Sequence, residues 1–467
     1  MRYLAFIIAA LTSAEMQAFG LAPRLVVNVT IDQLRTDYME AFYPLYGQGG
    51  FRRLMQQGLV YEGGRYPFSP VDRSSATATL SSGATPYLNG IVGTQWLDRS
   101  TLRPVNCVSD DKYGYSPQRL LTSTLGDELK MSSNGSAIVF SFSSDKESAI
   151  LSAGHAADGA FWMGDNGAWT GTRYYANALP SWLKAYNSQH PELGRVQAMA
   201  NDNVVSVSLQ AVTAEEMGRD EMPDLLYVNL SAARAKGKES ESWQTCMETV
   251  YMQLDHTLAS LISGVEQRVG KDKVLFVVTS TGYSDEARKN LEKYRVPTGT
   301  FYINRTASLL NIYLSAIYGQ GRYVEQCYGN EMYLNHKLIE QKRISMNEIL
   351  GRSQDFLIQN AGVADVYTSE RLMAGNNDIL KIRNGYNPTN CGDIIIEVAP
   401  GWKLLNEDTH QVIYSSAGFM PFPIIFLGGN KQHEVIKTPV TVDCVASTIA
   451  KAIRIRAPNA CSAAPLF

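Results

Sequence analysis

The 467-residue chain has few of the features that would place a protein outside the soluble globular class. Beyond the N-terminus, no apolar run approaches the ~18 residues that a membrane-spanning helix needs, so no membrane span is expected in the mature chain. No fixed-period repeat, low-complexity tract or acidic tail is present. A formal net charge of -3 at pH 7 gives no electrostatic reason to expect nucleic acid or an acidic membrane as a partner.

Cysteine and histidine are both scarce, with six of each. The cysteines show neither a CxxC pair nor a Cys/His ligand spacing, which argues against a zinc ribbon or a redox motif. An even number of cysteines allows disulfides in an exported chain, and buried reduced thiols are the alternative. The six are Cys107, Cys246, Cys327, Cys391, Cys444 and Cys461.

The N-terminus has the composition of an export signal. Arg2 precedes an apolar run at 3–11, and the small residues Thr12, Ser13 and Ala14 follow it. This order is typical of a secretory signal peptide. We therefore expect residues 1–20 to be a signal peptide and the mature protein to be periplasmic or secreted. An N-terminal helix of the mature fold is the alternative.

Six short, β-branched apolar segments recur between amphipathic stretches. Nearly continuous apolar strands of this kind are typical of a mostly parallel sheet with helices on both faces, so we predict an α/β fold. The predicted strands are 25–32, 137–141, 224–230, 274–279, 393–398 and 423–427. The predicted helices are 50–57, 118–129, 241–269 and 442–454, with Thr441 as a candidate cap of the last.

The segment from about 294 to 390 is polar, rich in tyrosine and asparagine, and interrupts this rhythm of strands. We interpret it as a subdomain inserted into one domain that runs from 21 to 467. In open α/β sheets, functional residues gather at the carboxyl ends of the strands. The residues to inspect are therefore Asp32, the loops after Leu230 and Thr279, and the turn before Pro423.

Several segments at and between those positions carry a family resemblance. Two of them are Val-Thr-Ile-Asp at 29–32 and Ala-Gly-His-Ala-Ala-Asp-Gly at 153–159. Others, in order, are 49–54, 82–86, 90–93, 296–297, 392–393 and 399–402. With these segments the chain resembles the alkaline phosphatase superfamily over nearly its whole mature length. It is most similar to the branch of type I phosphodiesterases, nucleotide pyrophosphatases and Bacteroidetes-type periplasmic alkaline phosphatases.

The resemblance implies an alkaline-phosphatase-like fold and, in active relatives, two zinc ions held by three aspartates and three histidines. Those ions activate a threonine or serine nucleophile and stabilise the transition state. In this sequence only Asp32 carries the family's ligand at its position. The other ligand positions fall on Arg234, Lys238, Thr281, Gly282 and Pro421. We therefore expect no bound metal and no cofactor.

The histidines do not replace the missing zinc ligands, because none matches a family ligand position. They are His155, His190, His256, His336, His410 and His433. His155 does match the family, but outside the metal set, and is interpreted as a structural residue.

The family's nucleophile position falls on Arg73 when counted back from the Ser-Gly at 82–83. A guanidinium stays protonated and offers only hydrogen-bond donors, so it cannot attack phosphorus. A register shift of one residue would bring Ser74 to this position, although a role at the start of a helix is the favoured interpretation of Ser74.

The family's phosphate contacts are replaced as well. The asparagine position falls on Thr94, and the lysine and arginine positions fall on Asp145 and Glu147. Two carboxylates there would oppose the negative charge of a phosphoryl group. We hypothesise that oppositely charged side chains fill the former site as a salt-bridge network, with solvated loop charges as the alternative. Its members would be Asp32, Arg73, Asp145, Glu147, Arg234 and Lys238.

Three functions remain open at this point. The favoured one is an exported pseudophosphatase, not an enzyme, that binds or scaffolds a protein or glycan. The alternatives are a hydrolase with altered or single-metal chemistry, using Asp32 with Asp72, Asp145 or Glu147, and an active phosphatase whose ligands are misaligned. The tyrosines of the insertion would supply a contact surface or else pack against the core. They are Tyr294, Tyr302, Tyr313, Tyr318, Tyr323, Tyr328 and Tyr333.

Overall fold

The structure, a computed structural model, describes residues 22–190, 200–234, 242–284, 296–375, 377–414 and 420–467. The strands are β1 Leu25–Asp32, β2 Leu59–Arg65, β3 Gln95–Asp98, β4 Arg103–Asn106, β5 Ser109–Asp110, β6 Gly114–Tyr115, β7 Val139–Ser143, β8 Gly159–Met163, β9 Trp169–Gly171, β10 Asp224–Ser231, β11 Val274–Ser280, β12 Gly299–Tyr302, β13 Val324–Tyr328, β14 Glu331–Leu334, β15 Val363–Thr368, β16 Ile394–Val398, β17 Trp402–Leu405, β18 Val412–Tyr414, β19 Phe422–Gly428, β20 Glu434–Ile436 and β21 Val440–Thr441.

The α-helices are α1 Thr36–Ala41, α2 Phe51–Gln57, α3 Arg73–Ser82, α4 Pro86–Asn89, α5 Leu125–Ser132, α6 Lys146–Ala153, α7 Ser181–Gln189, α8 Ala200–Ala214, α9 Trp243–Val269, α10 Ile303–Tyr318, α11 His336–Gln341, α12 Met346–Leu357, α13 Ser369–Ala374, α14 Leu380–Gly385 and α15 Cys444–Ala452. Three short 3-10 helices cover Tyr43–Leu45, Lys271–Lys273 and Asn377–Ile379.

The centre of the fold is a ten-stranded sheet of order β20-β2-β19-β11-β1-β10-β7-β8-β9, with β21 beside β2. Its middle strands, β11, β1, β10, β7 and β8, are parallel. Antiparallel pairs occur only towards the sides, where β19 joins β11 and β2 and where β9 joins β8. The predicted α/β fold with a mostly parallel central sheet is therefore confirmed.

Side-chain alternation along β1 explains how the sheet is covered and which way its last residue faces. All eight residues of β1 are buried. Val27, Val29 and Ile31 belong to a core cluster that includes α9, whereas Val26 belongs to a second cluster that includes α3, α5 and α6. Because successive side chains in a strand point to opposite faces, Asp32 lies on the face of Val26. That is the face covered by α3 and α6.

A second, smaller core lies outside the central sheet. It combines a four-stranded sheet of order β13-β14-β16-β15 and a three-stranded sheet of order β12-β17-β18 with α10 and α12. Its buried side chains run from Phe301 to Leu404, with Ile413 packed against them. We refer to residues 299–414 as the second unit. This core continues beyond residue 390, where the sequence pattern placed the end of the insertion.

One strand prediction was wrong about its sheet. The segment predicted at 393–398 does form a strand, but it is β16, paired antiparallel with β14 and β15 in the second unit. An apolar run shows that a strand is buried, and it carries no information on which core buries it.

Two helix starts were also predicted too early. The helix predicted at 118–129 begins at Leu125, because Thr124 and Asp127 form a reciprocal capping box there. The last helix begins at Cys444 with Asp443 as its N-cap, and the side chain of Asp443 makes no capping bond. Thr441, the predicted cap, lies instead in β21 opposite Arg65.

Within the part of the chain that the structure describes, no helix is long and apolar enough to cross a membrane. All six cysteines lie in that part and are free thiols, and five of them are buried.

Candidate functional site

The candidate site lies at the carboxyl ends of β1, β10 and β11. Asp32 ends β1 and is paired in register with Ser231, the last residue of β10. Thr281 follows β11 directly. The N-termini of α3 and α6 face the same edge, since Arg73 is the first residue of α3 and Asp145 is the N-cap of α6. The topology therefore gathers these side chains from distant parts of the sequence.

Asp32 is buried, with 6% of its surface exposed. The Thr281 hydroxyl donates to its Oδ1 at 2.8 Å, and the Tyr283 hydroxyl lies 3.3 Å from its Oδ2. The Nε of Arg73 lies 3.5 Å from the same Oδ2. Burial raises the pKa of Asp32, and the opposing effects of Arg73, Thr281 and Tyr283 do not cancel that increase. The carboxyl group is thus held in place by three side chains while it is largely removed from water.

Arg73 connects Asp32 to a second carboxylate. Its Nη1 lies 3.2 Å from Oδ2 of Asp145, and 42% of its side chain is exposed. Burial acts to lower the pKa of Arg73, but Asp145 and Asp32 outweigh it and raise the pKa above its usual value. The Arg73 guanidinium therefore stays positively charged. It lies between Asp32, which the resemblance assigns to a metal-ligand position, and Asp145, which it assigns to a phosphate-contact position.

Ser74 is buried at the start of α3. Only 1% of its surface is exposed, and its hydroxyl is 2.9 Å from that of Thr94. The amide and hydroxyl of Thr94 donate to Oδ2 of Asp72 at 2.7 and 2.8 Å, while Oδ1 of Asp72 caps α3 at the amide of Ser75. These residues fix the start of α3, as the favoured interpretation of Ser74 predicted.

The two carboxylates at the phosphate-contact positions have different partners. Asp145 caps α6 by accepting the amide of Ser148 at 2.8 Å, and it also contacts Arg73. Glu147 accepts a bond of 2.7 Å from the side-chain amide of Asn106 and lies 3.2 Å from Nζ of Lys146. The charge network that the sequence suggested therefore forms around Arg73 and Asp145, and Glu147 pairs with its own chain neighbour.

The remaining ligand positions are occupied in ways unsuited to zinc. At Gly282, which has φ +71°, an added Cβ would lie 2.6 Å from the ring of Tyr66, so no side chain fits there. Pro421 precedes β19, and its carbonyl accepts the amide of Thr36 at 3.1 Å. The guanidinium of Arg234 lies over the ring of Trp243, 5.6 Å from its centroid. Lys238 lies outside the described residues.

We tested whether this residue set fits a metal. Two zinc ions, which an active relative would hold, do not fit, because Asp32 alone carries a family ligand and a guanidinium lies beside it. The single-ion alternative needs carboxylates that converge on one point. In the described ranges, no group of three or more His, Cys, Asp or Glu side chains is placed to hold a metal ion.

Two contributors to the site escaped prediction from sequence. Tyr283 was not among the candidate residues, yet its hydroxyl reaches Asp32. Asp72 was considered as a possible metal ligand, and it is the helix cap that organises Thr94. The sequence signal for Asp72 was its position directly before the Arg-Ser-Ser that opens α3.

His155, matched to the family outside the metal set, is fully engaged in the structure. Its Nδ1 is 3.0 Å from the carboxylate of Asp127, and its Nε2 is 3.0 Å from the carbonyl of Leu120. This geometry ties the start of α5 to the turn after α6, which is a structural role.

Comparisons with known proteins agree with this fold. The sequence model of the family described as type I phosphodiesterase / nucleotide pyrophosphatase matches residues 26–423. A protein of Myroides odoratus named calcium-transporting ATPase is 25% identical over 509 residues, covering 94% of this chain and 93% of that protein. The alkaline phosphatase PafA of Elizabethkingia meningoseptica is 23% identical over 522 residues, covering 95% and 94%.

The structural comparison identifies the same fold. The crystal structure of wild-type alkaline phosphatase PafA matches with a TM-score of 0.83 at 21% identity, covering 95% of this chain and 98% of that one. The family match spans most of the chain and includes Asp32, Arg73 and Thr281. The chain therefore belongs to the type I phosphodiesterase / nucleotide pyrophosphatase family of the alkaline phosphatase superfamily.

Proposed function

We propose that this protein is an exported pseudophosphatase, a family member that binds or scaffolds a protein or glycan and does not hydrolyse phosphoric esters. The observation that carries the proposal is the position of Arg73. Its guanidinium contacts Asp32 and Asp145 at 3.5 and 3.2 Å, at the sequence position where relatives have the attacking hydroxyl. A group that offers only donors has no lone pair with which to attack phosphorus.

The surroundings of Arg73 support the same conclusion. Phosphoryl transfer needs positive charge facing the equatorial oxygens of the phosphate. Here the nearby cation is already paired with two carboxylates, and Asn106 and Lys146 are paired with Glu147. The charged side chains of this cleft are thus paired with one another, which leaves little charge available to stabilise a transition state.

A groove on the second unit is a candidate binding surface. It lies between α10 and β13, has a volume of about 770 Å³, and is lined by fourteen residues, six of which have amide or hydroxyl side chains. These six are Asn304, Ser308, Asn311, Ser315, Gln320 and Gln326. Such groups hydrogen-bond to peptide backbones and to sugar hydroxyls alike. Of the tyrosines predicted to supply a contact surface, Tyr323 and Tyr333 are buried within the unit and are not available for it. Tyr294 lies outside the described residues.

Export is part of the proposal and rests on the sequence. The apolar run at 3–11 and the small residues after it have the order of a signal peptide, and these residues lie outside the described ranges. Cleavage of residues 1–20 is checked by determining the N-terminus of protein recovered from the periplasm or the medium.

The decisive experiment measures metal and activity together. The mature protein is incubated with excess Zn²⁺ and Mg²⁺, desalted, analysed by elemental mass spectrometry, and assayed with phosphate monoester and diester substrates. PafA treated identically is the positive control. We expect no stoichiometric metal and no hydrolysis. Two retained zinc ions with turnover would overturn the proposal, and hydrolysis with one ion or none would favour the altered-chemistry hydrolase.

A further inference from the structure

Two of the six cysteines, Cys444 and Cys461, lie against the same turn of the chain. Cys444 is the first residue of α15, and its Sγ lies 2.8 Å from the carbonyl oxygen of Thr441. Cys461 belongs to the C-terminal segment 453–467, and its Sγ lies 3.6 Å from the carbonyl oxygen of Asp443. Both thiols therefore contact the residues that lead into α15.

The contact with Asp443 limits how far Cys461 can be from Cys444. The Asp443 carbonyl belongs to the peptide bond that joins Asp443 to Cys444, so its oxygen lies about 2.8 Å from Cα of Cys444. Since 3.6 Å separates that oxygen from Sγ of Cys461, the thiol is at most about 6.4 Å from Cα of Cys444. The Cα atoms of disulfide-bonded cysteines are usually about 4.4–6.8 Å apart. Rotation of the two side chains, with a small shift of the C-terminal segment, would therefore bring the sulfur atoms together.

Gly83, the C-cap of α3, leaves the space that the Cys461 thiol fills. A Cβ added at Gly83 would lie 2.4 Å from Sγ of Cys461 and 3.0 Å from the carbonyl oxygen of Asp443. The thiol is thus placed between the end of α3 and the start of α15. Cys444 is buried, whereas Cys461 is partly exposed, so an oxidant reaches Cys461 more easily in the folded protein.

The acidity of the two thiols indicates when they would react. Burial raises the pKa of both in the folded protein, to about 12 for Cys444. The reactive thiolate is therefore scarce after folding. In the unfolded chain both thiols have the ordinary pKa of about 8.5, so oxidation is faster while the protein folds. The disulfide rests on the proposed export, which takes the folding chain into an oxidising compartment.

We propose that Cys444 and Cys461 form a disulfide in the exported protein, which fastens the C-terminal segment to the start of α15. The oxidant is a disulfide of that compartment, carried by a protein or by a small molecule. One cysteine thiolate attacks it and forms a mixed disulfide, and the second cysteine thiolate displaces the oxidant's remaining sulfur. The two cysteines lose two protons and two electrons, and the oxidant is reduced to two thiols.

The segment that the disulfide fastens is packed on the α/β core. The ring centroid of Phe467 lies 5.1 Å from that of Phe426, and the amide of Leu466 donates to the hydroxyl of Thr448 at 2.9 Å. Closing a loop of chain between two cysteines restricts the unfolded state and so stabilises the folded state. The oxidised protein should therefore melt at a higher temperature than the reduced protein.

The test counts thiols and maps the bond in the full-length mature protein. Protein from the periplasm or the medium is denatured with an alkylating reagent present and digested with trypsin. Trypsin places Cys444 and Cys461 in separate peptides, 438–451 and 457–467. We expect four alkylated cysteines, and these two peptides joined until reductant is added. Six alkylated cysteines, or a bond between other cysteines, would show that the proposal is wrong.

Refolding tests the pairing without export. The mature chain is produced in the cytoplasm, unfolded and reduced, and then refolded with oxidised and reduced glutathione. We expect the same two peptides to be joined. Their absence would rule out the disulfide, because the oxidant is present and the geometry alone is tested. Joined peptides after refolding, with an uncleaved N-terminus and six thiols in protein from cells, would support the pairing and contradict the proposed export.

A variant and its control connect the bond to stability. Reductant should lower the melting temperature of the wild type by roughly 3 °C or more. Cys461→Ser should melt at the same temperature with and without reductant. The matched control is Cys327→Ser, because Cys327 is buried in β13, and it should keep the wild-type difference. A wild-type difference in Cys461→Ser would show that Cys461 is not part of the bond.

Discussion

The Nε of Arg73 lies 3.5 Å from Oδ2 of Asp32, the buried carboxylate at the end of β1. Helix α3 covers the sheet face on which Asp32 lies, and Arg73 is its first residue, so the side chain extends over the strand end. A buried carboxylate must be paired or hydrogen-bonded to remain charged. In this chain a side-chain cation provides part of that pairing, and metal ions provide it in active relatives.

Replacing Arg73 with alanine should destabilise the protein. The change leaves Asp32 buried with only two hydroxyl partners and removes the basic partner of Asp145. Loss of one partner of a buried pair costs ~3–5 kcal/mol, and the partial exposure of Arg73 reduces this to about 1–3 kcal/mol. Urea unfolding at neutral pH measures the change.

The matched control for that variant is Arg352→Ala. Arg352 pairs with Glu348 one helical turn away on an exposed face, where ion pairs contribute little. If the two variants lose the same stability, Arg73 is a solvated surface charge and the network hypothesis is wrong.

Gly282 lies where the structure leaves little room for a side chain. An alanine Cβ there would lie 2.6 Å from the ring of Tyr66, and the backbone has φ +71°. Gly282→Ala should therefore cost roughly 2 kcal/mol or more, from overpacking together with backbone strain. Gly135→Ala is the control, because Gly135 has φ +84° with no atom within 4 Å of the added Cβ. Equal melting temperatures for the two variants would show that the contact with Tyr66 relaxes freely.

Much of the fold and the place of the site could be predicted from sequence. The apolar run that ends in Asp32 predicted β1 with its bounds, because a continuous buried strand in a parallel sheet has a distinctive pattern. That pattern also directed attention to the strand end, where Asp32, Thr281 and Arg73 meet. A sequence pattern within one segment predicts the structure correctly where that segment alone determines it, as in the strand β1.

The details that failed depend on contacts between distant segments. Nothing in the sequence near Tyr283 indicates that its hydroxyl reaches Asp32. The apolar run at 393–398 could not reveal that it belongs to the second core. The contact of the Arg234 guanidinium with the ring of Trp243, on the helix that follows it in sequence, was likewise not indicated by the sequence. Contacts of this kind depend on which segments the topology brings together. The sequence pattern of a single segment does not show this.

Asp32 should make the protein less stable as pH rises. Burial raises its pKa in the folded state, so the folded protein binds the proton more tightly than the unfolded chain does. The ionised side chain therefore lowers stability between the ordinary pKa of about 3.9 and the folded value, and this loss persists at higher pH. Asp32→Asn, which cannot ionise, should gain stability relative to the wild type between about pH 4 and about pH 7.5.

Urea unfolding of both proteins at the two pH values checks this prediction. A variant that loses stability relative to the wild type as pH rises would show that Arg73, Thr281 and Tyr283 together outweigh burial. Whether Asp32→Asn gains or loses stability relative to the wild type as pH rises therefore shows whether the Arg73 contact fully offsets the cost of burying the charge of Asp32.

The contribution of His155, which pairs with Asp127, should also fall as pH rises, but through a higher pH range than that of Asp32. Burial acts to lower the pKa of His155, but the bonds to Asp127 and to the carbonyl of Leu120 outweigh it and raise the pKa. Its contribution to stability is then fully present below about pH 6.5 and falls as pH rises through the folded pKa.

His155→Gln should accordingly lose more stability near pH 6 than near pH 9, and urea unfolding at both values measures the difference. His256→Gln, on the exposed face of α9, should show no such change between the two conditions. A loss of equal size at both pH values would mean that the imidazole acts only through its shape and its neutral hydrogen bonds. In that case the charge of His155 adds nothing, and its match to the family reflects packing between α5 and the turn after α6.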